Sequence, residues 1–326
     1  MSLKKWILIG AVFLVLLAAA FLFIKPTPPP IKLPNPNGYD DLVKAGQMLS
    51  GDLPECYWSW SFWSRFEEPE CYEETRAFLN FNSEALKLAR LGLSRESRTP
   101  ITYTRAYFSK HMSELASIRL AQILKAEGNV AEKENRLEDA IQSYLDVVQL
   151  REKMHGGVMI DTLVGVEVER IGLGSLRRLS DDQITIAQRR DLIAKLARTY
   201  ANRESYNEIM TNEKKYVNAH GLKEQFAYFA TFLSRRKSEQ NFEREFKSGE
   251  ARVGLLLVEL GLRNFNEENG HPPKTLQELI PDYLPFLPQN HFVYIPPNTN
   301  GYAFGLYIKD SDGTPWDWNY VLISHQ

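Results

Sequence analysis

The chain has 326 residues, of which 44% are hydrophobic and 25% charged, with 39 Lys and Arg set against 41 Asp and Glu. That balance is typical of a folded globular protein and argues against disorder over most of its length. The near-zero net charge and the lack of a basic block argue against nucleic acid as a partner.

Residues 6–24 (WILIGAVFLVLLAAAFLFI) are uncharged throughout. As a helix at ~1.5 Å per residue, they span roughly 28 Å, close to the apolar core of a bilayer. A helix satisfies its own backbone polar groups there, so this segment is predicted to be a transmembrane helix. A cleaved signal peptide is the competing reading, because Ala18, Ala19 and Ala20 offer a small-residue cleavage site. Phe21, Leu22, Phe23 and Ile24 carry the apolar run past that site, which favours an uncleaved anchor. Lys4 and Lys5 precede the run and Lys25 and Lys32 follow it, so the charge bias is slight. Residues 1–5 are then a cytoplasmic tip, and the body lies outside the cytoplasm.

Residues 25–38 contain six prolines between Pro26 and Pro36. Proline fixes φ and donates no hydrogen bond, so the stretch reads as an extended tether between membrane and body. The body is assigned to 39–248 and a separate tail to 249–326.

Helical spacing predicts a first helix over 39–49, stopped at Gly51. Cys56 and Cys71 sit in matching Pro-Glu-Cys-Tyr contexts. An exported location permits a disulfide between them; two separate buried thiols are the alternative. Zinc needs more ligands than these supply. Between the cysteines, Trp58, Trp60 and Phe62 alternate with serines as on one face of an extended strand, and Trp63 follows. These rings read either as a platform for a sugar or protein partner, or as a disulfide-closed loop plugging the core.

Apolar periodicity predicts further helices over 73–93, over 107–126 with a break at Gly128, and over 136–154. The stretch 136–150 (RLEDAIQSYLDVVQL) sets Ala140, Tyr144 and Val147 in small–aromatic–small order. It resembles the second helix of a tetratricopeptide repeat, which implies an antiparallel hairpin near 115–152. No second copy follows at a period of about 34 residues, so a solenoid is not implied. Next comes a helix opened by Gly156 and Gly157 and apolar almost all round, hence central. Asp161, Glu167 and Glu169 interrupt it, and nothing in their spacing separates an acid–base pair from caps and ion pairs. Ser180 with Gln183, and Ser205 with Glu208, read as capping boxes for helices to about 202 and 219. Residues 222–247 are polar with a narrow stripe of Phe226, Phe229, Phe232 and Leu233, the pattern of an exposed, partner-facing helix.

The tail is predicted to be a small α+β unit. An apolar helix over 251–268 ends at Gly270, and Thr275 caps a short helix at 276–280. Alternating segments at 292–295, 302–308 and 320–323 then form a short antiparallel sheet. Residues 263–313, running through NGHPPKTLQELIPDYLPFLP to a hairpin and an Asp-Gly loop, resemble the globular tail of type II secretion major pseudopilins. That resemblance implies calcium in the last loop, where Asp310, Asp312 and Asp317 surround Gly313. The spacing is not that of an EF-hand, and a plain polar turn is the alternative. The pseudopilin leader and its glutamate are missing from this N-terminus, which leaves polymerisation unsupported.

Taken together, the anchor, the PNPNGYDDLVKAG stretch, the GGVMIDTLVGVEVE helix and the tail resemble a group of membrane-anchored bacterial envelope proteins. The resemblance implies a single-pass protein of the inner membrane with a periplasmic body. His111, His155, His220, His271, His291 and His325 are scattered, and no nucleophile elbow, P-loop or dinucleotide motif occurs. The expected fold class is therefore mainly α. The expected role is a non-enzymatic protein-interaction scaffold with the lipid bilayer and a protein as partners. An accessory of a secretion or pilus-like machine and a carbohydrate-binding or hydrolytic protein are the alternatives.

Overall fold

The computed structural model describes residues 31–58, 69–102, 116–179, 184–219, 232–288, 292–295, 302–308 and 321–324. They are mainly α-helical and form a helical bundle. Among them no helix is long and apolar enough to cross a membrane; the expected anchor at 6–24 lies outside the described residues.

Helix α1 (Gly38–Met48) begins at Asn37, whose Oδ1 accepts from the backbone N–H of Tyr39 at 3.3 Å and of Arg98 at 2.9 Å. One side chain thus caps the helix and pins a segment sixty residues away. Helix α2 (Glu55–Trp58) is a single turn, joined to α3 (Pro69–Phe81) by the Cys56–Cys71 disulfide. Closing a loop of about 15 residues contributes ~3 kcal/mol in the chain-entropy model. The alternating pattern predicted extended chain from Trp58 onward, but the backbone at Tyr57 and Trp58 is helical. The Tyr57 hydroxyl donates to the Gln122 carbonyl at 3.2 Å, which ties this turn to the bundle.

The helix expected over 73–93 is two helices, α3 and α4 (Ser83–Ser94), separated at Asn82. The Asn82 side chain accepts from Ser50 N–H at 2.9 Å and donates to the Ser50 and Phe78 carbonyls. An asparagine that satisfies neighbouring backbone in this way competes with continuous helix.

Helices α5 (Ala116–Lys133) and α6 (Leu137–Lys153) form a hairpin around Asn135, which has φ 57°. Gly128 does not break α5. A Cβ at Gly128 would lie 2.3 Å from Cε1 of Tyr144, so the missing side chain makes room for that ring. Tyr144 is fully buried, and its one hydroxyl proton has two acceptors in reach, Asn129 Oδ1 at 2.6 Å and Glu132 Oε2 at 2.9 Å.

Helix α7 (Met159–Leu179) is central and packs on α5, α6 and two later helices. Helix α8 (Ile186–Ala201) is capped by Thr185 with Gln188 and so starts later than expected; Ser180 and Gln183 lie outside the described residues. Its box is reciprocal: Gln188 N–H donates to the Thr185 hydroxyl at 3.3 Å, and Thr185 N–H to Gln188 Oε1 at 2.8 Å. Helix α9 (Tyr206–Ala219) follows the Ser205–Glu208 box.

Helix α10 (Phe232–Asn269) runs uninterrupted through residues 248 and 249, where the sequence suggested a boundary between body and tail. Ser248 and Gly249 are buried, and a Cβ at Gly249 would lie 3.2 Å from Val166 Cγ1. This glycine is a contact with α7 rather than a stop. Phe242 and Phe246 are buried beside Tyr206, so this part of the expected partner-facing helix faces inward. The side chains of Phe226, Phe229, Phe232 and Leu233 lie outside the description. Gly270, at φ 71°, terminates α10. A 3-10 turn (Leu276–Leu279) leads to strands β1 (Phe292–Ile295), β2 (Tyr302–Ile308) and β3 (Val321–Ser324). They pair antiparallel in that order, with Phe292 opposite Ile308 and Leu306 opposite Val321.

Two large apolar cores result, and a smaller third gathers Ile209, Met210, Phe242 and Phe246 between α9 and α10. One large core gathers α1 and α3–α5 around Leu42, Leu86, Leu120 and Leu124; the other gathers α8, α10 and the 3-10 turn around Leu196, Leu256, Leu260 and Leu279. Helices α6 and α7 supply both, so that pair is the wall between them.

Candidate functional site

A pocket of ≈ 460 Å³, counted with the solvent at its mouth, opens where the end of α6, the first half of α7 and the α8–α9 connection meet α10. Its charged wall is built around Glu169 on α7, which is 1% exposed. Arg151 from α6 donates to Glu169 Oε2 at 2.5 Å, and Arg203 from the α8–α9 connection donates to Oε1. Both arginine side chains are more than nine-tenths buried. Each guanidinium also lies over a ring: Arg151 is 5.7 Å from the centroid of Phe246 and Arg203 is 5.3 Å from that of Tyr200. Stacking and bidentate fork geometry suit arginine rather than lysine at such positions.

Burial pushes the Arg203 guanidinium below its ordinary value, although Glu169 opposes the shift. Glu250, on α10, is held above the ordinary glutamate range, first by burial and then by the neighbouring Glu169, against the pull of Arg203 and Arg151. It forms no ion pair within 4.0 Å among the described residues.

The pocket's other edge is the turn into α7. Gly156 has φ 82°, a conformation that favours glycine. Its N–H donates to Glu204 Oε2 at 3.0 Å, the N–H of Val158 to Asp161 Oδ2 at 2.7 Å, and that of Met159 to Glu213 Oε2 at 3.1 Å. Three carboxylates therefore complement the positive end of α7. Burial raises the Glu204 carboxyl above its ordinary range. Thr199, 5% exposed, lines the pocket from α8, and its hydroxyl has no hydrogen-bond partner among the described residues.

A second concavity is an open groove of ≈ 930 Å³ between α8 and residues 281–286. Ile193, Ala197 and Leu284 form its apolar floor. Arg190 and Arg198 stand on its rim; Arg190 pairs with Glu268 at 2.7 Å, whereas Arg198 has no ion pair among the described residues.

Of the residues singled out from sequence, Cys56 and Cys71 are brought together as a disulfide. Trp58 closes α2, while Trp60 and Trp63 lie outside the described residues, as do Asp310, Asp312 and Asp317. Among the described residues no cluster of three or more His, Cys, Asp or Glu is placed to hold a metal ion. The three α7 carboxylates are separated in role: Asp161 caps, Glu167 pairs with Arg170 at the surface, and Glu169 is sealed between two arginines. Neither Arg151 nor Arg203 was a candidate from sequence. The available signal was a carboxylate inside a helix apolar almost all round, since such a group requires a buried partner.

The described residues thus define a mainly α-helical bundle protein with a charge-paired pocket and an open apolar groove. No family model matches the chain, and no curated protein and no solved structure matches it.

Proposed function

We propose that the chain is a single-pass membrane protein whose helical body stands outside the cytoplasm and binds another protein through the α8 groove. The finer architecture belongs to this reading: anchor at 6–24, proline tether, helical body, and a tail in which β1–β3 lie beyond the end of α10. The apolar run and tether support the anchor, and the Cys56–Cys71 disulfide suits an oxidising compartment. The observation that carries the binding role is the groove itself, an apolar floor open to solvent with Arg198 unpaired on its rim. Its occupant is a protein segment that presents apolar side chains beside a carboxylate, matching floor and rim.

The test places a photo-crosslinking residue at Ala194, exposed on the groove, or at Lys87, exposed on α4, in the full chain in cells. Adducts are expected from Ala194 and not from Lys87, with the yield cut severalfold by Arg198→Glu. Equal adducts from both positions, or a yield indifferent to Arg198→Glu, overturn the reading.

A further inference from the structure

Helix α8 keeps one face open over its whole length. Ala187, Arg190, Asp191, Ala194, Arg198 and Ala201 are all exposed. The helix is about 24 Å long at ~1.5 Å per residue, and this face is the helical wall of the groove. Alanine forms its centre line, since Ala187, Ala194 and Ala201 recur every two turns. An exposed helix ordinarily carries charged or polar residues along its outer line. Methyl groups there let a second helix approach closely.

Charge is ordered across that line. Successive residues turn by about 100°, which sets Asp191 and Arg198 on one edge of the alanines and Arg190 on the other. Arg190 is engaged by Glu268 of its own chain at 2.7 Å. Arg198 has no ion pair among the described residues. Asp191 meets Lys195 at 2.8 Å but remains 61% exposed, and such a surface pair contributes little.

The occupant inferred for the groove presents apolar side chains beside a carboxylate, and α8 itself has that make-up. A second α8 laid antiparallel about a two-fold axis at Ala194 reverses direction while each edge keeps its side. Asp191 lies about 4.5 Å from Ala194 along the helix and Arg198 about 6 Å the other way. The reversal therefore brings Arg198 of each copy within about 1.5 Å, measured along the axis, of Asp191 of the other. Ala187 meets Ala201 in the same way, and Arg190 falls over Ala197 rather than over a second arginine. A parallel pair sets Arg198 against Ala197 and leaves it without a carboxylate. A two-fold contact requires a patch complementary to itself, and the antiparallel arrangement supplies one. Two chains anchored in one membrane also share a raised effective concentration, so a contact of this modest length suffices.

We propose that the partner in the α8 groove is a second copy of this chain, docked antiparallel with Ala194 at the two-fold axis and with Arg198 on the partner subunit's Asp191. The inference rests on the groove reading given above.

The test uses the full-length chain in its membrane. Its two cysteines are bridged, so an introduced cysteine is the only free thiol. Ala194→Cys, Ala187→Cys and Lys87→Cys are each treated with a short bifunctional thiol reagent. A covalent dimer is expected from Ala194→Cys at a yield severalfold above the other two, because only Ala194 lies on the axis. Arg198→Asp and Asp191→Arg are each expected to cut that yield about tenfold, and the two together to restore it within about twofold. A merely structural role for either residue does not produce that restoration. Equal yields from Ala194 and Ala187 overturn the antiparallel two-fold, and a double variant as poor as the single ones overturns the pairing. A missing Ala194 dimer overturns the second copy. If photo-adducts at Ala194 then carry a different protein, the groove reading stands alone; if Ala194 gives no adduct, that reading falls as well.

Discussion

The α5–α6 hairpin and the seam around Glu169 join helices by opposite means. In the hairpin, a tyrosine ring lies on a glycine: Tyr144 occupies the space that a Cβ at Gly128 would fill. Its hydroxyl is bonded within the pair, to Asn129 and Glu132, and also accepts from Arg178 of α7 at 3.3 Å. In the seam, the junction of α6, α7 and the α8–α9 connection is fixed by one carboxylate between two arginines. A second set, Glu259 on α10 with Arg177 on α7 and Arg263 on its own helix, repeats the device further along. Apolar contact is non-directional and roughly proportional to area, so it holds helices together without strongly fixing how they slide. An ion pair buried at about a hydrogen-bond length is intolerant of sliding, because removing either partner strands the other charge. The hairpin is therefore sensitive to volume and the seam to charge.

The sharpest break of the comparison is Glu169→Gln, which preserves shape while leaving Arg151 and Arg203 without a counter-charge. Breaking a buried pair in this way costs about 3–5 kcal/mol. Urea unfolding of the full-length chain should show a midpoint lowered accordingly with an unchanged slope. A loss below ~1 kcal/mol would mean that Glu250 moves in to replace it, and that the seam is not fixed by a single carboxylate.

The hairpin is tested by volume. Gly128→Ala inserts a methyl group where the Tyr144 ring stands and is expected to cost about 1–3 kcal/mol, the usual range for overpacking. The favourable helix propensity of alanine offsets only ~1 kcal/mol of that. Combining it with Tyr144→Leu, which clears the ring edge, should recover part of the loss by urea unfolding. Additive losses would show that Gly128 is required for some reason other than the ring.

These two regions also differ in how far they could be read from sequence. Helices α1 and α6 follow from periodicity, and α9 from the Ser205–Glu208 box, which acts within a turn of the helix it starts. Glycine is ambiguous at this level. Gly51, Gly156 and Gly270 take positive φ and end or turn the chain, whereas Gly128 and Gly249 sit inside helices as contact points. The difference lies in the partner helix, which no local window contains. The start of α8 shows the same limit, because Ser180 with Gln183 and Thr185 with Gln188 have the same spacing in sequence, and Thr185 with Gln188 forms the box that starts the helix. The seam is the extreme case: Arg151 and Arg203 are 18 and 34 residues from Glu169, so composition and spacing give no reason to join them.

The smallest effect separates a charge in contact from a charge nearby. Glu250 sits beside the seam without pairing, and its carboxyl is raised, mainly by burial. A carboxyl raised by folding binds its proton more tightly in the folded state than in the unfolded one. Its contribution is therefore harmless below the ordinary glutamate range, and it becomes a penalty as pH rises through the raised value. Glu250→Gln should accordingly be somewhat more stable than the parent near pH 7. That advantage should fade to nothing toward about pH 4, where the parent carboxyl is protonated anyway. Paired urea titrations at the two pH values check the sign. A variant less stable than the parent near pH 7 would place Glu250 among the working counter-charges of Arg151 and Arg203. The seam would then hold two carboxylates for two guanidiniums, and its contrast with the hairpin would rest on two pairings rather than on one shared carboxylate.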